Sequence, residues 1–225
     1  MARFQAGALV VYGNLGVHEV EWVGLPTIVM QAIGSVMTFA VNSILLGVSS
    51  TAVAFFGIYY KLQNFLMMPV NGLGQAAIPV VGFNYGSGQS DRVKQAWKVL
   101  LPTGVVFALC GTAVFLLFPA QLLGLFSASD EMLAFGVPAL RIISVTFLFA
   151  VITILCGYFA SGLGNGVVNM IGSALRQLVV LLPCLWLLIR AMGIEKAWFA
   201  FWVSEVIACA YSLWETKKEL QNKVK

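Results

Sequence analysis

Two sets of polar or soft side chains recur at helical spacing in segments that are apolar enough to cross a membrane. The first polar stripe has residues three or four positions apart: Gln31, Ser35, Thr38 and Asn42. The second polar stripe follows the spacing i, i+3, i+7, i+10 and i+14: Lys61, Asn64, Met68, Asn71 and Gln75. Such spacing places each set on one face of one helix. Because polar groups in hydrocarbon are costly, the stripes indicate a cavity or a transport pathway.

Interhelical hydrogen bonding is the simpler explanation for any one of these side chains. Two one-sided stripes on adjacent helices exceed what such bonding needs, so we favour a cavity. Met68 suits a cavity for varied organic cations because methionine adapts its shape. Pro69, Gly72 and Gly74 lie in the second stripe's segment, and an internal proline removes a backbone hydrogen bond. We therefore expect a kink and a flexible hinge there.

Three of the charged residues within apolar segments are candidates for a functional role. Lys61 is about 15 Å along its helix, where a lysine costs on the order of 2.5–3.5 kcal/mol. We expect it to face the cavity rather than to snorkel, with a carboxylate partner that is Glu205 or a residue from outside these segments. Arg141 either snorkels or projects into the helix bundle, and it is a cavity candidate. Glu205 either pairs with a basic group or is a hydrogen-bonded neutral acid.

The composition indicates an all-α membrane protein. Hydrophobic residues make up 60% of the chain and charged residues 10%, and the mean hydropathy is +0.92. A soluble domain is about half apolar and a quarter charged, so a soluble enzyme or receptor domain is excluded. Since one span takes roughly 20 apolar residues, we predict six in a lobe over 22–216. Residues 1–21 form a lead-in of uncertain structure and 217–225 a basic tail; the expected spans are 22–46, 51–81, 99–118, 132–161, 167–189 and 197–214.

The basic residues predict the orientation. With six spans, both termini share one side of the membrane with the loop that follows the second span. Seven Lys or Arg residues lie on that side, at 92, 94, 98, 217, 218, 223 and 225, against two on the other, at 190 and 196. Under the positive-inside rule both termini are expected to be cytoplasmic.

Other chemistries find little support in the sequence. It holds no Ser/His/Asp set and no Walker phosphate-binding loop, so we expect no enzyme activity. The four cysteines stand alone in apolar runs, and there is one histidine, so ligand-type spacing for a metal is absent. The net charge of +4 is not gathered along one face, which argues against a nucleic-acid partner. The expected surroundings are membrane lipid, with no cofactor.

One stretch carries a family resemblance. The sequence GIYYKLQNFLMMPVNGLGQAAIPVVGFNYGSGQSDRVKQAWK resembles the eighth transmembrane helix and following cytoplasmic loop of bacterial multidrug and toxic compound extrusion (MATE) transporters. The shared elements are the Pro69/Gly72 pair, the small residues after it and the turn Asn84-Tyr85-Gly86. The likeness extends more loosely over residues 22–216. Members of that family have about twice as many helices in two six-helix lobes, and this chain resembles the second lobe.

The resemblance implies one half of a cation-coupled antiporter of the bacterial inner membrane that exports organic, often cationic compounds. The other half would be the missing N-terminal lobe or a second copy of this chain. Coupling to Na⁺ or H⁺ is implied, but some relatives bind the cation through carboxylates in the seventh and tenth helices. The equivalent spans, 22–46 and 132–161, have no acid in their apolar interior, so no coupling site is assigned. Alternatives are a related flippase for lipid-linked oligosaccharides and a non-transporting membrane fragment.

Overall fold

The computed structural model describes the backbone of residues 17–224 and the side chains of 28–224 except Gln31. All regular secondary structure in this part of the chain is helical. The helices are α1 (Val17–Leu46), α2 (Ser50–Gly86), α3 (Ser90–Leu117), α4 (Pro119–Gly124), α5 (Asp130–Ser144), α6 (Phe147–Gly162), α7 (Gly166–Ala174), α8 (Leu181–Met192), α9 (Ile194–Ala197) and α10 (Phe199–Lys223). A π-helical turn, Leu175–Val179, joins α7 to α8. Most of the predicted lead-in, 1–16, lies outside the described residues, whereas helix α1 already includes 17–21.

The helices can cross a membrane five or six times. Five helical segments are long and apolar enough for this: Ile28–Leu46, Ser50–Gly86, Ser90–Leu117, Gly166–Met192 and Ile194–Lys223. Helices α5 and α6 make the sixth crossing if they are counted together, although they meet at an angle of 46°. The predicted all-α membrane architecture is therefore confirmed.

The span predicted over 132–161 is bent rather than straight. The hydroxyl of Ser144 donates to the carbonyl of Arg141 at 3.1 Å, and that of Thr146 donates to the carbonyl of Ile143 at 2.7 Å. Hydroxyl groups that bond to nearby carbonyls compete with the helical hydrogen bonds of the backbone. The two bonds lie where α5 ends and α6 begins, and they are consistent with the bend between these helices.

Helix α3 also differs from the expectation. The basic segment 91–98 and the predicted span 99–118 form one continuous helix, Ser90–Leu117, with Pro102 inside it.

Before α5, Ser129 acts as the N-cap, because its hydroxyl accepts a hydrogen bond from the amide of Met132 at 3.3 Å. Asp130 and Glu131 follow in the first turn, where acidic side chains interact favourably with the helix dipole.

Helix α6 is the centre of the lobe. Ten of its 16 residues are buried, and it packs against α2, α3, α7 and α10. Gly104 of α3 allows the close approach, because a Cβ atom there would collide with the side chain of Leu155. Aromatic contacts also join the helices. The ring of Tyr59 on α2 packs edge-on against the ring of Phe201 on α10, with 5.7 Å between the ring centres. This packing fixes the helices that surround the cavity described below.

The end of α10 is tied to the connection between α6 and α7. Asn165 donates to Glu219 at 2.8 Å, and the ammonium of Lys223 lies 2.8 Å from the other carboxylate oxygen of Glu219. Lys223 also donates to the carbonyl of Leu163 at 3.1 Å. We call these four residues the terminal clamp. Its contacts join the connection between α6 and α7 to the end of α10.

Candidate functional site: a polar cavity inside the lobe

A cavity of about 410 Å³ lies between α1, α2, α6, α10 and the α7–π turn segment. Its wall is dominated by amide, hydroxyl and aromatic side chains, with one guanidinium and one carboxylate among the described residues. The lining residues are Met30, Gly34, Ser35, Met37, Tyr60, Gln63, Asn64, Met67, Asn71, Gln75, Ile154, Tyr158, Asn169, Ser173, Arg176, Gln177, Leu181, Phe201 and Glu205.

The structure brings four of the predicted cavity residues to this wall. Ser35 comes from α1, and Asn64, Asn71 and Gln75 come from α2. The hydroxyl of Tyr158, on α6, donates to the side-chain oxygen of Asn71 over 3.4 Å. Ser35, Asn64 and Gln75 are exposed although they line the cavity. The cavity is therefore open on the side that α1 and α2 share.

Several other predicted residues lie outside the wall. The Thr38 hydroxyl bonds within its own helix, to the carbonyl of Gly34 at 2.9 Å. Asn42 is half-buried away from the cavity, Met68 is 67% exposed and Arg141 is exposed on α5. The side chain of Gln31 lies outside the described residues. The wall of α2 is centred on Tyr60, Gln63, Met67 and Asn71, and Met68 is about 100° around the helix from Met67.

Lys61 does not line the cavity, contrary to expectation. It is exposed, and its ammonium lies 5.9 Å from the ring centre of Phe126, in the connection between α4 and α5. The expected depth assumed that the span starts at the membrane boundary. Helix α2 has 37 residues and is therefore about 56 Å long, which exceeds the roughly 30 Å hydrocarbon layer. The distance from the helix start therefore does not give the depth of Lys61.

The predicted hinge residues have different environments. Helix α2 continues through Pro69 from Ser50 to Gly86. A Cβ atom at Gly72 would meet nothing within 4 Å, so a side chain would fit there and the hinge stays a prediction. Gly74 is buried, and a Cβ there would overlap the ring of Tyr158. Gly74 is thus a packing residue that lets α6 present Tyr158 to the cavity, and its lack of a side chain is explained without a hinge.

The most polar part of the wall comes from residues that the two predicted stripes omitted. Asn169, Ser173, Arg176 and Gln177 belong to α7 and the π turn, and Glu205 belongs to α10. Asn169, Ser173 and Gln177 are spaced four apart, which is the same one-sided pattern as in the two stripes. That spacing could have identified a third polar face from the sequence.

Arg176 and Glu205 form a loose ion pair in this wall. The Nε atom of Arg176 is 3.7 Å from Oε1 of Glu205, and the side chains are 13% and 6% exposed. The guanidinium also donates to the backbone carbonyl of Ala150 at 3.5 Å. Glu205 thus pairs with a basic group, one of its two expected states, but its partner is Arg176 rather than Lys61.

Three buried polar atoms near the pair have no hydrogen-bond partner among the described residues: Oη of Tyr59, Nε of Arg176 and Oε2 of Glu205. Buried polar atoms are nearly always hydrogen-bonded in folded proteins, so each exception calls for an explanation. Arg176 and Glu205 both line the cavity. The three atoms themselves face the protein interior, so a bound molecule would meet them only if these side chains turned.

Known proteins share this architecture. The sequence model of the MatE family matches residues 26–187, which is most of the chain. The chain belongs to the MatE family. Multidrug export protein MepA of Staphylococcus haemolyticus is 26% identical over 92% of the chain and 45% of its own length. A probable multidrug resistance protein NorM of Rhizobium meliloti is 30% identical over 81% of the chain and 41% of its own length.

Solved structures show the same fold. A crystal structure of the Vibrio cholerae MATE transporter VcmN in the bent form superposes with a TM-score of 0.85 at 22% identity, over 92% of this chain and 47% of that one. A MOP superfamily transporter from Pyrococcus furiosus, described as having a binding pocket of reverse polarity, gives 0.85 at 20% identity, over 92% and 47%. The chain spans less than half the length of these relatives, and it has the fold of one lobe of a MATE transporter.

Proposed function

We propose that this chain is half of a cation-coupled multidrug efflux antiporter that exports organic, often cationic compounds. The observation that carries the proposal is the polar cavity inside a membrane-spanning lobe of the MatE family. Amides and aromatic rings in its wall can contact varied amphipathic molecules without demanding one shape. A transporter needs such a site to be open first to one side of the membrane and then to the other.

The chain needs a second lobe for this activity. Its cavity is open along α1 and α2, where Ser35, Asn64 and Gln75 are both exposed and part of the wall. An N-terminal lobe or a second copy of the chain would cover that opening. Coupling to Na⁺ or H⁺ is part of the proposal, and its support is the family resemblance. Among the described residues, no three His, Cys, Asp or Glu side chains come together to hold a metal ion.

The proposed location is the bacterial inner membrane, with both termini in the cytoplasm. The support is the unequal distribution of basic residues, seven against two. The connection that follows α2 then lies on the cytoplasmic side, and the one between α4 and α5 lies on the outer side.

An accumulation assay with ethidium in an efflux-deficient bacterium tests the proposal. Expressed alone, the chain should not lower the dye content of the cells, because half a cavity cannot alternate its access. When the chain is co-expressed with the N-terminal lobe of a MATE relative, the ethidium content of the cells should fall. In that combination Gln75→Leu, in the cavity wall, should reduce efflux, while the matched change Gln121→Leu, on exposed α4, should not.

The outcomes separate the parts of the proposal. Clear efflux by the chain alone contradicts the need for a different lobe and supports a pair of identical chains. Failure of the combined lobes to lower ethidium, with both present in the membrane, contradicts the transport function.

A further inference from the structure

We propose that Glu205 is the anchor for protonated amine or amidinium groups of the exported compounds, and that Arg176 is a tethered cation such a group must displace. The inference rests on the proposed function and specifies the ligand chemistry of its cavity. Arg176 carries the same kind of group, a cation with N–H donors, and it lies at the carboxylate of Glu205. The ion pair therefore represents the complex that an organic cation would form.

The contacts of Arg176 are weak enough for exchange. A strong guanidinium–carboxylate pair has donor–acceptor distances of about 2.7–2.9 Å and is often bidentate. Here the closest approach is 3.7 Å, and the hydrogen bond from the guanidinium of Arg176 to the carbonyl of Ala150 is 3.5 Å long. Displacing this guanidinium from Glu205 therefore breaks no short hydrogen bond between them. Its charge still lowers the affinity of the carboxylate for a second cation.

The carboxylate of Glu205 defines the class of ligand. Oε1 faces the guanidinium of Arg176, and Oε2 has no donor among the described residues and is shielded from the cavity, so the carboxylate becomes available to a ligand when Arg176 withdraws. A primary or secondary ammonium, or an amidinium, can then donate a hydrogen bond to it, whereas a quaternary ammonium cannot. Phe201, four residues earlier on α10, also lines the cavity and offers a ring to the aryl part of such a compound. The site thus favours aryl amines that carry N–H groups.

The π turn provides a way for Arg176 to withdraw. Arg176 is the second residue of the segment Leu175–Val179, which holds one residue more per turn than an α-helix. Conversion of this turn to α-helical geometry shifts its side chains by about one position. This shift corresponds to a rotation of roughly 100° around the helix axis. Such a rotation would move the guanidinium away from Glu205 without unfolding the helix. Turns of this type are frequent at functional sites.

Binding measurements on the purified full chain in detergent test the inference. The probes are 2-naphthylmethylammonium and its N,N,N-trimethyl counterpart, which share ring and charge but differ in N–H donors, and the method is isothermal titration calorimetry. The unmodified chain should prefer the primary ammonium. The Arg176→Gln variant should bind the primary ammonium at least about tenfold more tightly than the unmodified chain. Close charge pairs in protein complexes have coupling energies that correspond to a change in affinity of this size or larger. Glu205→Gln should remove both the preference and the gain.

The control is Arg190→Gln, which removes an arginine that stacks on Trp186 and lies outside the cavity wall. It should bind both probes like the unmodified chain. If Arg176→Gln does not fold, Arg176→Met also removes the charge and should show the same gain. The preference of the unmodified chain is itself a test that needs no substitution.

Equal affinity for the two probes, or unchanged affinity in Arg176→Gln, would overturn the inference. So would the absence of binding by every folded variant. Neither result bears on the proposed function, which ethidium efflux by the combined lobes decides separately. A protein that exports ethidium and shows no N–H preference would be a transporter that uses another anchor.

Discussion

Two of the ion pairs of helix α10, the terminal clamp and the cavity pair, differ in how closely their groups are held. In the terminal clamp, Lys223 and Asn165 each lie 2.8 Å from an oxygen of Glu219, and a backbone carbonyl accepts a further bond from Lys223. In the cavity, the closest approach of Arg176 to Glu205 is 3.7 Å, from Nε to Oε1.

The difference separates a structural cluster from a binding cluster. The short contacts of the clamp join the end of α10 to the connection between α6 and α7. The cavity pair is more deeply buried, yet its groups are held less closely, beside about 410 Å³ of space. Taking charges out of water is costly, and a loose geometry recovers little of that cost. Such an arrangement is better explained by ligand binding than by stability.

The largest expected effect comes from breaking the cavity pair. Glu205→Ala leaves the Arg176 charge buried without its partner, so it should lower the free energy of unfolding by about 3 kcal/mol, as seen for buried pairs. The double change Arg176→Met with Glu205→Leu removes both charges and should recover most of the loss. Each variant is heated in detergent, and the fraction of protein that remains monodisperse is measured. These fractions rank the variants by stability.

A double variant as unstable as Glu205→Ala would contradict this explanation. It would mean that the pair stabilises the fold directly, and that its loose geometry does not indicate a ligand.

A smaller effect is expected from the terminal clamp. Glu219→Ala removes the partner of Lys223 and of Asn165, and should cost about 1–2 kcal/mol, because hydrogen bonds to charged groups are worth this much when partly exposed. Binding of the naphthyl ammonium probe should stay unchanged. The same denaturation and titration experiments measure both quantities.

Glu215→Ala is the matched control for the clamp, since Glu215 pairs with the exposed Lys218 at 3.4 Å and such pairs contribute little. If Glu219→Ala weakened binding of the probe, the distinction between the two clusters would fail.

The smallest effect is expected at Lys61. Lys61→Met removes an exposed ammonium outside the cavity wall, so affinity for the primary ammonium probe should stay within about twofold of the original, less than 0.5 kcal/mol. Isothermal titration calorimetry is again the measurement. A large gain in affinity would show that the charge of Lys61 acts on the cavity, as the sequence had suggested.

The sequence by itself determined the class of the molecule. The apolar excess required membrane-spanning helices, and the motif around Pro69 and Gly72 indicated the family that the comparison then established. Polar periodicity also identified Asn64, Asn71 and Gln75, which the structure places in one wall. These features depend on local spacing along the chain, which a single sequence displays directly.

The tertiary structure decided which polar faces meet. Spacing defines a face on each helix but not the rotation of one helix against the next, so Lys61 and Met68 were grouped with a wall that they do not join. The bend between α5 and α6 and the π turn at Arg176 also alter rotation, and regular spacing does not reveal them. The pairing of Arg176 with Glu205, 29 positions apart, depends on packing around α6 and could only be seen in three dimensions.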